Sequence, residues 1–136
     1  MRTPVHFLLV EGNPGDVRLT QEYFKEAGIL HNLSIVNSTV KALEFLRQMN
    51  EYTVTLLPDI ILCCILMLQE MAENDELLQF IQKLNIPIVA LTAFEGELSG
   101  VNNHVPVSLD IEKPLTTERI ALIETTFFGV AASGAE

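Results

Sequence analysis

A chain of 136 residues is the size of one domain, and with 49% hydrophobic against 19% charged residues it can bury a sizeable core, which excludes a disordered polypeptide. The 18 acidic and 8 basic side chains leave a formal net charge of −10. Such a surface repels a phosphate backbone, so nucleic acid is not an expected partner.

No membrane span is expected either. The most apolar stretch, 55–68, is interrupted by Pro58 and Asp59 and is too short to cross a bilayer, and "HFLLVEG" near the start has no signal-peptide core. The two cysteines are the neighbours Cys63 and Cys64, which point to opposite sides of a strand and so cannot form an internal disulfide. Both features fit a reducing, cytoplasmic location.

Apolar runs and helical patterns alternate along the chain. "VHFLLV" (5–10) reads as a buried strand. Asn13 then stands as a helix N-cap with Pro14 at the first helical position, Val17, Thr20, Tyr23, Phe24 and Ala27 recur at helical spacing, and Gly28 stops the helix. "LSIVN" (33–37) is a second strand, followed by a helix from Ser38 and Thr39 that places Val40, Leu43 and Leu46 on one face. "DIILCCI" (59–65) is the third strand. The residues after it, 66–73, read as an apolar loop with Leu66, Met67, Leu68 and Met71, either folded over a pocket or left as a sticky surface.

A helix follows over 75–84, held by Leu77, Leu78 and Ile81, then strands at 87–92 and 107–111. The last helix begins after Pro114 and carries Ile120, Leu122, Ile123 and Phe127 inward. The segment 94–106 contains two glycines, two asparagines and a proline, so any fourth helix there is short or irregular. Residues 1–127 form the domain and 128–136 a frayed tail, with no further domain expected. Two-sided apolar strands alternating with helices predict one doubly wound α/β domain with a parallel sheet, in the flavodoxin-like order 2-1-3-4-5. Ligands of such folds sit at the carboxyl ends of the strands, which here means Glu11 and Gly12, Cys64 to Leu68, Thr92 to Phe94, and Lys113.

Those positions carry a family resemblance. "LLVEGNPGDVRLTQEYFKEAG", "KALEFLR", "PDIIL", "IPIVALTA" and "EKP" resemble, in order and spacing over about 5–125, the receiver domain of two-component response regulators, in particular stand-alone receivers associated with phytochromes. The resemblance implies a phosphoacceptor aspartate ending the third strand, two acids after the first strand that hold Mg²⁺ with it, a hydroxyl ending the fourth, and a lysine–proline pair after the fifth. It also implies a switch aromatic three residues before that lysine. On this chain Thr92 and Lys113–Pro114 keep their places and Glu11 keeps the first acid, but Gly12 replaces the second acid, Cys64 the acceptor, and Asp110 the aromatic.

Mg²⁺ prefers hard oxygen ligands, and a thiol is a poor substitute, so with Glu11 alone remaining the metal site is expected to be lost. The chain then reads as a degenerate receiver, not an enzyme, without cofactor. It would act in phosphorelay signalling by contact with a histidine kinase, another response regulator, or a second copy of itself. Cys64 fills space, and Lys113 pairs with Glu11. Two rivals stay open. A phosphoreceiver with an unorthodox acceptor, whether Cys64, Glu11, or Glu70 or Glu73 folding back, would need Mg²⁺. A redox sensor would use Cys64 as a thiolate favoured by Lys113. His6, His31 and His104 show no metal-ligand spacing, and no glycine-rich phosphate loop follows the first strand.

Overall fold

Each of the five apolar runs becomes a strand, and all five lie parallel in one sheet. The computed structural model describes residues 4–28, 31–101 and 105–129, and places β1 at Val5–Val10, β2 at His31–Val36, β3 at Ile60–Cys64, β4 at Ile88–Thr92 and β5 at Val107–Glu112. Their order is β2-β1-β3-β4-β5, the arrangement expected. The helices are α1 (Pro14–Ala27), α2 (Thr39–Leu46), α3 (Ile65–Ala72), α4 (Asp75–Leu84) and α5 (Thr117–Phe128).

Successive residues of a strand face opposite sides, so the sheet divides two cores. Phe7, Leu9, Leu62, Val89 and Leu91 pack on one side with Phe24 of α1 and Ile120 and Ile123 of α5. Leu8, Val10, Ile61, Cys63 and Ala90 pack on the other, with Phe45 and Leu46 of α2, Leu68 and Met71 of α3, and Leu77 and Ile81 of α4. Local signals set the helix starts. Asn13 accepts the Asp16 N–H at 3.1 Å with Pro14 just inside α1, and Asn74 accepts the Leu77 N–H at 3.0 Å to open α4. Gly28 ends α1 with φ 67°, a left-handed conformation that glycine adopts without a Cβ clash.

Three expectations are corrected. The stretch 66–73 is not a loop, because Ile65–Ala72 forms α3 directly from the end of β3. No glycine or proline separates strand from helix there, so the apolar run gives no boundary, yet Ile, Leu, Met, Gln, Glu and Ala together favour helix. Ile65, Leu68 and Met71 recur every three residues, and burial of Leu68 and Met71 adds about 1.5–3 kcal/mol each. Of the residues assigned to a sticky loop, only Leu66 is exposed; Met67, Leu68 and Met71 are buried.

The inward face of α2 is turned relative to expectation: Val40 is 63% exposed, and Thr39, Ala42, Phe45 and Leu46 are buried. Phe45 and Leu46 continue the core beneath β1 and β3, and larger apolar volume decides the rotation. Likewise Leu122 of α5 faces solvent, leaving Ile120 and Ile123 inward.

Between β4 and β5 the expected irregular segment holds one 3₁₀ turn, Glu97–Gly100, with Leu98, Val101 and Val105 packed on the core where a longer helix would lie. His104 lies outside the described residues. So does 130–136 of the expected tail; Phe128 is still the last residue of α5.

Candidate functional site

Sheet register assembles the site from residues far apart in sequence. Val10 lies beside Cys63, so one step further along the two strands Glu11 comes level with Cys64. Cys64 pairs in register with Leu91 and Thr92 with Glu112, which places Lys113 at the end of β5, two strands from Cys64. The carboxyl ends of β1, β3, β4 and β5 thereby surround a cavity of about 560 Å³, lined by Glu11, Gly12, Cys64, Met67, Ala93, Glu97 and Lys113 among others.

Among the described residues Lys113 is the only cation lining this cavity, and it is held twice. Its Nζ donates to Glu11 Oε1 at 3.2 Å, the partner anticipated from sequence, and to Asp16 Oδ2 at 2.8 Å. Burial by itself lowers the ammonium pKa, but the Asp16 hydrogen bond together with the charge and hydrogen bond of Glu11 outweighs it, so Lys113 sits above its ordinary value. The other Glu11 oxygen accepts the Asn13 backbone N–H at 3.1 Å, so both oxygens of this buried carboxylate are engaged within the chain. The Lys113–Pro114 peptide bond is cis, and the Lys113 N–H donates to the Thr92 carbonyl at 2.7 Å.

Gly12 brings no side chain to the cavity. A Cβ built there would meet Met67 Cε at 3.4 Å, so the methyl end of a side chain from α3 lies in contact range beside this position. Cys64 ends β3 and caps α3; it is buried, and Cys63 is buried in the core as a free thiol as well. Burial is the largest influence on the Cys64 thiol and raises its pKa. The Met67 backbone N–H lowers it next, the nearby Glu11 carboxylate raises it and Lys113 lowers it again, without overturning the rise. The thiolate favoured by Lys113 in the redox reading is therefore offset, because Lys113 is already paired and the thiol is out of water.

A reactivity test follows. Raised above the ordinary thiol value, Cys64 stays protonated at neutral pH, so iodoacetamide should label it more slowly than a free thiol, with a rate that keeps rising with pH past the point where an ordinary thiol levels off. Labelling at pH 7 as fast as the unfolded protein would return the redox reading to favour.

The remaining residues named from sequence sit apart from the cavity. Thr92 is buried at the end of β4 and does not line it. Asp110 is exposed on β5, in register with Ala90. The Thr39 hydroxyl donates to Glu70 at 3.4 Å, and Glu73 forms the C-cap of α3, so neither acid reaches the cavity. Among the described residues no group of three or more His, Cys, Asp or Glu side chains is placed to hold a metal ion.

Two contributors were not anticipated. Asp16 was visible only as part of the "NPGD" helix start, yet the first turn of α1 carries it across to Lys113. Met67 falls within the expected 64–68 positions, but reaches the cavity from a helix and not from a loop. Glu97 had no signal beyond Gly96 before it.

Comparison with known proteins finds likeness to response regulators, although no family model matches the chain. It is 33% identical over 102 residues to the response regulator Rcp1 of Synechocystis sp., a match covering 69% of this chain and 65% of that protein. The crystal structure of Mn²⁺-bound Rcp1 is 27% identical, with a TM-score of 0.65 over 95% of this chain and 99% of that one. The bacteriophytochrome response regulator AtBRR shares the fold with a TM-score of 0.78 at 21% identity, over 99% of this chain and 100% of that one.

Proposed function

We propose, for a chain that is a response-regulator receiver domain by fold and by sequence likeness, that signalling proceeds without phosphorylation, through protein–protein contact. One observation carries this reading: the acceptor position holds a buried thiol, Cys64, while the site's lysine is already occupied by Glu11 and Asp16. Phosphoryl transfer of the receiver kind needs a carboxylate nucleophile, a divalent ion and free cationic donors. Here the nucleophile is a protonated thiol and the lysine is spent on internal carboxylates.

The residues do not fit Mg²⁺. Both Glu11 oxygens are engaged, Gly12 supplies no ligand, Met67 occupies the adjoining space, and thiol sulfur is soft. The Mg²⁺ site of the family is therefore proposed as lost, and with it enzymatic self-phosphorylation. Its phytochrome-associated relatives support a place in two-component signalling, where the partner is a histidine kinase, another response regulator or a second copy of the chain. Leu66 and Phe94, both exposed, supply apolar contact area for it. The acidic net charge argues against nucleic acid, and no described helix is long and apolar enough to cross a membrane. We place the protein in the cytoplasm.

Intact mass after incubation with acetyl phosphate and Mg²⁺ tests this directly. The expected result is no phosphoryl adduct. An adduct that persists in Cys64→Ala would reveal a carboxylate acceptor, and one lost in that variant would make Cys64 the acceptor; either outcome overturns the proposal.

A further inference from the structure

The segment that leaves β4 turns back on itself at once. Glu97 N–H donates to the Phe94 carbonyl at 3.2 Å, and Gly96 adopts φ 89°, a conformation that other residues rarely take. The reversal returns the Glu97 carboxylate to the strand end, where Oε1 accepts the Ala93 backbone N–H at 2.6 Å. Ala93 and Glu97 line the same cavity as Lys113 and the first turn of α3. That helix opens from Cys64 with no side-chain oxygen capping it, and only the Cys64 thiol stands near its Met67 backbone N–H, so its positive end lies at the cavity.

Three features at this one place favour an anion: the Ala93 N–H, the start of α3 and the Lys113 ammonium. Two of the three already hold carboxylates of the chain. Glu11 directly follows β1 and Asp16 lies in α1, but Glu97 is carried by a connection whose described residues form no regular structure beyond a 3₁₀ turn. Of the three carboxylates it has the least support, and it is the one that can leave without disturbing the sheet.

We propose that Glu97 is a built-in anionic ligand of the cavity, seated on the Ala93 N–H, and that it excludes small oxyanions such as inorganic phosphate by occupying their place. This deepens the phosphorylation-independent reading and rests on it: besides lacking an acceptor, the site carries its own anion. Departure of Glu97 would free the Ala93 amide and release the exposed Phe94 beside it, so occupancy of the seat and position of the β4–β5 connection are coupled.

The test is titration of inorganic phosphate into the ¹⁵N-labelled full chain at pH 7 and low salt, following the Ala93 amide. Wild type is expected to show no saturable shift in the millimolar range. Glu97→Ala should bind phosphate about tenfold more tightly or better, the scale of one charge-assisted hydrogen bond. Glu95→Ala removes the same charge two residues away from an exposed position, and should behave as wild type.

Equal binding by wild type and Glu97→Ala, or an equal gain in Glu95→Ala, would overturn the proposal, the latter by reducing it to bulk charge. Should Glu97→Ala disorder the connection, Glu97→Gln carries the test: its neutral amide holds the Ala93 N–H more weakly than the carboxylate and does not repel phosphate, so it should show a gain smaller than Glu97→Ala, and no gain over wild type would be fatal. Phosphate binds here without covalent transfer, so failure leaves the acetyl phosphate experiment, and the reading it tests, untouched.

Discussion

Replacing Lys113 with methionine is expected to destabilise the protein by about 3 kcal/mol at neutral pH, the low end of the range for removing one member of a buried ion pair. Glu11 is only 4% exposed, and without the ammonium one of its oxygens loses its partner while the Asn13 N–H still serves the other. The low end applies because the adjoining cavity lets water reach the orphaned oxygen. Asp16 is half exposed and adds little. A urea midpoint series reads the effect, and Glu11→Gln in the Lys113→Met background should recover most of the loss, since it removes the charge left behind. A change under about 0.5 kcal/mol, the scatter of ordinary surface substitutions, would show that the pair is not structural.

The same interaction has a pH signature. Lys113 is raised above its ordinary value by Asp16 and Glu11 despite burial. A lysine whose pKa is higher folded than unfolded contributes its full stabilisation below the unfolded value. That contribution is lost as pH rises from there through the raised folded value. The buried thiols of Cys63 and Cys64, raised chiefly by burial, act with the same sign from pH 9.0 upward. Stability should therefore fall on the alkaline side, and Lys113→Met should flatten the part of that fall that lies highest in pH.

The second large effect is a gain. Cys64→Asp alone is expected to take no phosphoryl group from acetyl phosphate and Mg²⁺, whereas Gly12→Asp with Cys64→Asp should become phosphorylated. Aspartate at 64 restores the nucleophile beside Glu11, but a single added carboxylate still leaves the ion with Glu11 already bound to Lys113 and Asn13. Aspartate at 12 supplies a further hard ligand. Its Cβ meets Met67 Cε at 3.4 Å, ordinary van der Waals contact, and the unbranched methionine can move aside. Lys113, with a carboxylate at 64 available, then has a third acceptor to choose. Intact mass separates the outcomes. An adduct on Cys64→Asp alone would mean that the metal cage never depended on position 12. No adduct on the double variant would mean that the Lys113 pairing or Met67 keeps the site closed even with its acids restored.

How much of this was legible beforehand depends on the range of the interactions. Residues 5–10 were readable as a strand, and Asn13, Pro14 and Gly28 as the limits of α1, because caps and left-handed turns are decided within a few residues. The strand order followed from the alternation of apolar runs with helices, and the positions of Glu11, Cys64, Thr92 and Lys113 from strand ends. The helix at Ile65–Ala72 was not legible, since a continuous apolar run reads equally as strand, loop or buried helix until something packs against it.

What the chain determined by itself is the parallel sheet, a glycine at 12 and a thiol at 64, and a lysine left to find partners. Only the tertiary structure decided which partners: Asp16 reaches Lys113 because the first turn of α1 stands at the strand ends, Met67 lies beside Gly12 because α3 starts where β3 stops, and Glu97 returns to Ala93 because the chain reverses at Gly96. Each of these contacts joins different elements or closes a turn, and its existence depends on backbone geometry to within an ångström, which residue identity alone does not specify.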